Sequence, residues 1–330
     1  MRLVTCTVLA LAAVLLFLNS AERLSAQPRR TMRYQAGTPE KARAWQDNVR
    51  AELAKLLHIH DLLAEGRTVP LEPERRGFET RDGCTLETMT LRATQGRTFS
   101  AVVARPAQGQ GPFPAVVCIH GHGGNRMTPF DPAKQEYRLF GETLARKGYL
   151  VISTDVGQHE VYEPGRTLMG ERLWDLMRCV DYLETLPEAD ARRIGCAGLS
   201  LGGEMAMWLG AMDPRVAATS SCGFLTVMDQ MENNHCMCWK LDGLRELVDF
   251  ADIYALIAPR PLQCQNGRQE PETQFTVALA EKALAELRLV YKDLNAEHRV
   301  ALHIHDGGHE IDMQALAGFL DAHLARPDTR

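Results

Sequence analysis

The segment Gly198-Leu199-Ser200-Leu201-Gly202 carries the strongest chemical signal in this chain. It lies between an apolar stretch at 194–199 that reads as a strand and a stretch at 201–212 that reads as a helix. A G-x-S-x-G turn at such a junction holds its serine on a tight corner, with the hydroxyl exposed above the C-terminal edge of a sheet. The helix start behind it favours developing negative charge. The pattern alone arises often by chance, and the strand–turn–helix context gives it weight. A serine nucleophile needs a base, and the base needs an orienting acid. With the chain order Ser, acid, His, the base is expected at His309, after Asp306-Gly307-Gly308 and before the last helix. His303 and His305 lie two apart within a strand and read as structural or pocket-lining. The acid is expected in the loop Asn266-Gly267-Arg268-Gln269-Glu270-Pro271-Glu272. Position favours Glu270, with Glu272 as the alternative and Asp306 behind both. Two backbone N–H groups must hold the oxyanion, one from Leu201 and one from His120-Gly121-His122-Gly123-Gly124, where His122 is the choice. The His122 imidazole is expected to line the pocket.

The elements that position these residues alternate. Two short Val- and Thr-rich strands are expected at 85–92 and 99–105, followed by strands at 115–120, 149–154, 194–199, 216–224, 261–265 and 300–305. Between them helices are expected at 137–147, 168–186, 201–212 and 273–291, with a closing helix at 311–324. Alternation of apolar strands with helices implies an α/β fold, a mostly parallel sheet covered on both faces. No repeat of 20–50 residues is visible. Residues 27–75 read as an N-terminal helical extension, with Trp45, Val49, Leu53, Leu56 and Leu57 at helical spacing, and 76–330 as one catalytic domain. The stretch 225–253 lacks periodicity; Met228, Met231, Met237 and Trp239 either form a lid over the serine or pack the segment down.

The chain has 330 residues, 45% hydrophobic and 24% charged, which excludes disorder and supports a large core. With 37 Lys and Arg against 42 Asp and Glu the net charge is −5, and no basic block marks a nucleic-acid partner. Arg2 precedes an apolar run from Leu3 to Leu18, and small residues lead to Ala26-Gln27. This reads as a signal peptide over 1–26, implying export and no stable membrane insertion after cleavage. Cys118, Cys196, Cys222 and Cys264 lie in apolar strands and read as core residues. Cys236 and Cys238 follow His235; a disulfide to another loop cysteine is expected there ahead of a metal, because no second ligand pair with zinc-site spacing appears. No metal and no cofactor are therefore expected.

These segments resemble the α/β-hydrolase superfamily over residues 75–326, and within it the bacterial acetyl xylan esterase and dienelactone hydrolase-like branch. The resemblance rests on H-G-H-G-G at 120–124, S-T-D-V-G-Q at 153–158, G-L-S-L-G-G at 198–203, A-P-R-P-L at 258–262, N-G-R-Q-E at 266–270 and G-G-H at 307–309. Members usually carry Asp where Glu270 stands. Dienelactone hydrolases proper use a Cys nucleophile, so Ser200 argues against that chemistry. The resemblance implies a serine carboxylesterase removing acetyl or other short acyl groups from carbohydrate. Gln158 and His159, with His122, are expected to shape the substrate pocket, and Asp155 to shape it or to stabilise its loop. Asp175, Arg178 and Asp181 read as ion pairs along one helix. Two other functions fit the residues less well: a peptidase of the prolyl-oligopeptidase type, and a catalytically silent hydrolase fold used for binding.

Overall fold

A computed structural model describes residues 30–325 except 36, 66, 67, 233 and 234, so the expected signal peptide at 1–26 lies outside the described residues. Among the described residues nine strands form one sheet in the order β1-β2-β3-β5-β4-β6-β7-β8-β9. They are β1 Glu74–Arg81, β2 Cys84–Arg92, β3 Thr98–Pro106, β4 Phe113–Ile119, β5 Leu150–Thr154, β6 Ala189–Leu199, β7 Val216–Cys222, β8 Leu262–Gly267 and β9 Val300–His305. The pairings β1–β2, β2–β3 and β3–β5 are antiparallel, and every pairing from β5 through β9 is parallel. The helices are α1 Pro39–Leu56, α2 His60–Ala64, α3 Phe140–Arg146, α4 Leu168–Thr185, α5 Leu201–Met212, α6 Met228–Met231, α7 Leu244–Leu247, α8 Phe250–Ala255, α9 Val277–Asp293 and α10 Met313–Leu324.

Alternation along the central strands feeds two cores. Ala115, Val117 and Ile119 of β4, with Leu150 and Ile152 of β5, join the larger cluster built from α1, α4, α5, α8 and α9. Val116 and Cys118, with Val151, face the smaller cluster made by Phe140 and Leu144 of α3 and Leu316, Leu320 and Leu324 of α10. Both faces being covered, these strands carry continuous apolar runs rather than alternating ones.

Helix α1 starts where Thr38 accepts from the Lys41 amide with Pro39 in the first turn, and it ends at Leu56. His58 takes φ 55°, which breaks the chain into α1 and the short α2. Val49 and Leu53 are fully buried, and Gln46 Nε2 donates to the Ala255 and Ala258 carbonyls, so α1 belongs to the main core. Strand β1 is a correction to the expected helical extension, which ran to residue 75. Its sequence, Glu-Arg-Arg-Gly-Phe-Glu-Thr-Arg, is exposed on seven of eight residues. An edge strand with no buried face shows no hydrophobic period, and its charges discourage pairing with another chain.

Candidate active site

Ser200 stands at the turn from β6 into α5 with φ 61° and ψ −121°, a conformation that L-residues rarely adopt. Its N–H donates to the Cys222 carbonyl at 2.9 Å, which ties the corner to the end of β7. The flanking glycines are sterically required. A Cβ on Gly198 would lie 2.3 Å from the Gly202 carbonyl oxygen, and one on Gly202 would lie 2.2 Å from the Ile119 oxygen. Backbone of β4, β6 and α5 thus meets at contact distance. Gly202→Ala is expected to destabilise the fold by about 1–3 kcal/mol or more through overpacking against backbone that cannot yield. Urea unfolding measures this, and an unchanged midpoint would refute the tight corner.

Glu270 and His309 are brought together. His309 Nδ1 lies 2.8 Å from Oε2 and 3.1 Å from Oε1 of Glu270, whose side chain is 1% exposed. The two loops carrying them are pinned backbone to backbone. The Gln269 amide donates to the Gly307 carbonyl at 3.0 Å, the Arg268 amide to His305 at 2.8 Å, and a Cβ on Gly267 would strike the Gly307 and Gly308 oxygens. Glu272, the alternative acid, is exposed, and Asp306 is 97% exposed and pairs with Arg268. The His309 ring packs over Gly223, where a Cβ would lie 2.8 Å from Cε1, and it stacks on Phe275 at 5.4 Å and 17°. Gly223 directly follows Cys222, the acceptor of the Ser200 amide, so the imidazole sits at the serine corner. His303 is engaged elsewhere, 2.8 Å from Asp312, the residue that caps α10.

The loop after β4 closes the other side. A Cβ on Gly121 would lie 3.2 Å from Ser200 Cβ and 2.8 Å from the Leu199 oxygen, and the Gly121 amide donates to the Tyr137 hydroxyl at 2.7 Å. Burial pushes the Tyr137 phenol up to about 12, so it stays protonated. His122 comes next in the chain. Leu201 is the first residue of α5, whose N–H has no intrahelical acceptor.

A buried histidine that the sequence reading did not single out holds this loop. His120 is fully buried and its Nε2 accepts from the Val156 amide at 2.9 Å. Nε2 being the acceptor, the proton sits on Nδ1 and is donated to the Gly121 carbonyl at 2.7 Å. Burial holds the His120 pKa below its ordinary value. The unfolded chain therefore binds more protons between the folded pKa and about 6.5, so stability is full above about 6.5 and is lost as the pH falls through the folded pKa. Denaturant midpoints from pH 8 to pH 5 should fall less steeply in His120→Gln than in the parent. Parallel curves would exclude this histidine as the cause.

Asp155 accepts from the Arg126 amide and guanidinium at 2.7 Å each, which makes it a tie between the loops after β4 and β5. Gln158 lines a cavity of about 490 Å³ with Gly124, Arg126 and Tyr162, while its carbonyl takes a bond from Arg172. Arg178 pairs with Asp181 at 2.7 Å as expected, but Asp175 is paired across the fold with Arg97, two bonds of 2.7 Å, rather than along its own helix. His159 does not face the cavity; its Nε2 lies 3.0 Å from His122 Nε2 and 3.3 Å from Cys236 Sγ. In the 225–253 segment Met228, Met231 and Trp239 are core residues, and Trp239 meets Phe250 edge-on at 5.7 Å.

All eight described cysteines are free thiols, and Cys84, Cys118, Cys179, Cys196, Cys222 and Cys264 are buried. The expected disulfide from Cys236 or Cys238 to another loop cysteine is thereby corrected, because among the described residues no third cysteine lies in a loop. His235 is engaged elsewhere, with Nδ1 2.9 Å from the Cys236 carbonyl and its ring edge-on to Phe275.

Residues 99–224, from β3 to just beyond β7, match the family model of the dienelactone hydrolase family. The match includes Ser200 and the loop at 120–124 but stops before Glu270 and His309. A Bacillus subtilis protein, YtaP, named provisionally as a hydrolase, is 24% identical over 72% of this chain and 90% of its own length. A 4-O-methyl-glucuronoyl methylesterase of Neurospora crassa is 26% identical over 62% of this chain, which spans half of that relative's length. A Bacteroides fragilis structure, provisionally an acetyl xylan esterase, superposes with a TM-score of 0.69 at 19% identity, over 87% of this chain and 81% of its own. The fold is that of the α/β-hydrolases, and the chain is an enzyme of the hydrolase class.

Proposed function

We propose that this chain is an exported serine esterase acting on carboxylic esters of carbohydrates through Ser200, His309 and Glu270. The observation that supports it most is the buried Glu270 carboxylate hydrogen-bonded to His309 Nδ1, with that ring stacked over Gly223 beside the Ser200 corner. Engagement of Nδ1 orients the opposite nitrogen, Nε2, as the site that takes a proton. In the first step Nε2 accepts the Ser200 proton while Oγ bonds to the ester carbonyl carbon. The Leu201 and His122 amides hold the resulting oxyanion. The alcohol leaves with that proton, and a water repeats the sequence on the acyl-enzyme to release the acid.

The names of the relatives support the substrate class, since acetyl and methyl glucuronoyl esters are both carbohydrate esters. The leader-like residues 1–26 support export, and among the described residues no helix is long and apolar enough to cross a membrane. Purified protein should be assayed on p-nitrophenyl esters from acetate to long acyl chains, on acetylated xylan, on the methyl ester of a glucuronoside, and on a chromogenic peptide. Turnover of either sugar ester with the peptide left intact is expected. Cleavage of the peptide alone would replace the reading with a peptidase, and inertness toward all four with a silent fold.

A further inference from the structure

We propose that His122, His159, Cys236 and Cys238 form a binding site for one divalent transition-metal ion, with zinc as the ion that the donor set favours. The proposal stands independently of the esterase reading. One ligand atom from each of the four residues lies within 4.8 Å of every other. A zinc ion with bonds of about 2.0–2.3 Å holds its tetrahedral ligands roughly 3.3–3.8 Å apart, so a contraction of about an ångström completes the shell. Two imidazoles and two thiolates form a donor set typical of closed, four-coordinate zinc, and their softness disfavours magnesium or calcium. The histidines are exposed and the cysteines half-buried, so an ion can enter from solvent.

A second observation points to the same ion. Arg172 is fully buried beside Cys238, and among the described residues its Nε and Nη1 have that weakly accepting sulfur but no oxygen acceptor, while Nη2 is used on the Gln158 carbonyl. A neutral thiol is a weak acceptor for a guanidinium, whereas a metal-bound thiolate is an anionic one. Metal binding would deprotonate both cysteines and replace the weak thiol acceptor beside Arg172 with an anionic thiolate.

The placement gives the ion a task. His122 lies after β4, His159 after β5, and Cys236 and Cys238 in the segment between α6 and α7. One ion would tie three loops together at the rim above Ser200, one of them the loop whose backbone is assigned to the oxyanion. The site was not legible from spacing, because its histidines come from two distant loops and the neighbouring His235 takes no part.

The test uses the full-length chain, reduced and stripped with a chelator, then titrated with Co²⁺ as a spectroscopic stand-in. One equivalent should bind, with visible bands of tetrahedral cobalt and a near-ultraviolet thiolate charge-transfer band, and Zn²⁺ should abolish both. Cys238→Ser should remove much of the charge-transfer band. His159→Ala, at an exposed position, should weaken binding by more than the about 10–100-fold that outer-sphere changes cost. Cys84→Ala, remote in β2, should bind as the parent does. Failure of the parent to bind, binding unaffected by His159→Ala and Cys238→Ser in variants with parental circular dichroism, or a Cys236–Cys238 disulfide that survives mild reduction would each overturn the proposal.

Discussion

Ser200→Ala is expected to lower kcat on any ester substrate by about four to six orders of magnitude while leaving the fold and substrate binding nearly intact. The reasoning is local. Alanine keeps the Cβ that already occupies the corner at φ 61°, so no new strain or clash arises at a position where the serine side chain makes no capping bond. The loss is that of the attacking oxygen alone. Residual turnover would come from the oxyanion amides and from bound-substrate orientation, which amounts to about 10³–10⁴ over water in enzymes of this chemistry. Labelling by a fluorophosphonate should vanish in parallel. A variant retaining more than about one hundredth of parental kcat would show that another group attacks the ester.

Most of the candidate site is legible in residue order because the turn chemistry is local. Gly198, Ser200 and Gly202 define the corner within five residues, and the boundaries expected for α5 and β9 coincide with those observed, Leu201–Met212 and Val300–His305. Apolar runs in β4 to β8 gave the parallel sheet for the same reason: a strand buried on both faces has one dominant pattern. What stayed hidden depends on contacts distant in sequence. The charged edge strand β1 has no buried face to leave a period. His120 looked like part of a glycine-rich turn, although its ring fixes two loops through Val156 and Gly121. His159, expected to shape the substrate pocket, meets His122 and Cys236, residues 37 and 77 positions away. Choosing between Glu270 and Glu272 depended on burial, which two neighbouring carboxylates in one loop do not reveal by spacing.

That choice leads to the second large effect. Glu270→Gln is expected to lower kcat/KM by about 10³–10⁴, and Glu272→Gln by less than twofold. The Glu270 side chain is 1% exposed and both its oxygens lie within 3.1 Å of His309 Nδ1. Glutamine keeps the size but removes the charge, and if its amide nitrogen faces Nδ1 the ring must present the wrong tautomer to Ser200. Glu270→Asp keeps the charge and withdraws it by roughly one methylene, about 1.5 Å. Because the loops are locked by the Gln269–Gly307 and Arg268–His305 backbone bonds, they cannot follow the shorter side chain inward. Aspartate should therefore recover only part of the loss, leaving activity between that of the parent and that of Glu270→Gln. The ordering parent, Asp, Gln separates an orienting charge from a merely buried polar group, because a structural carboxylate would give a fall in unfolding midpoint without a matching fall in kcat. Equal activities for the parent and Glu270→Gln, with Glu272→Gln impaired instead, would move the acid to position 272 and detach the Glu270–His309 contact from the chemistry.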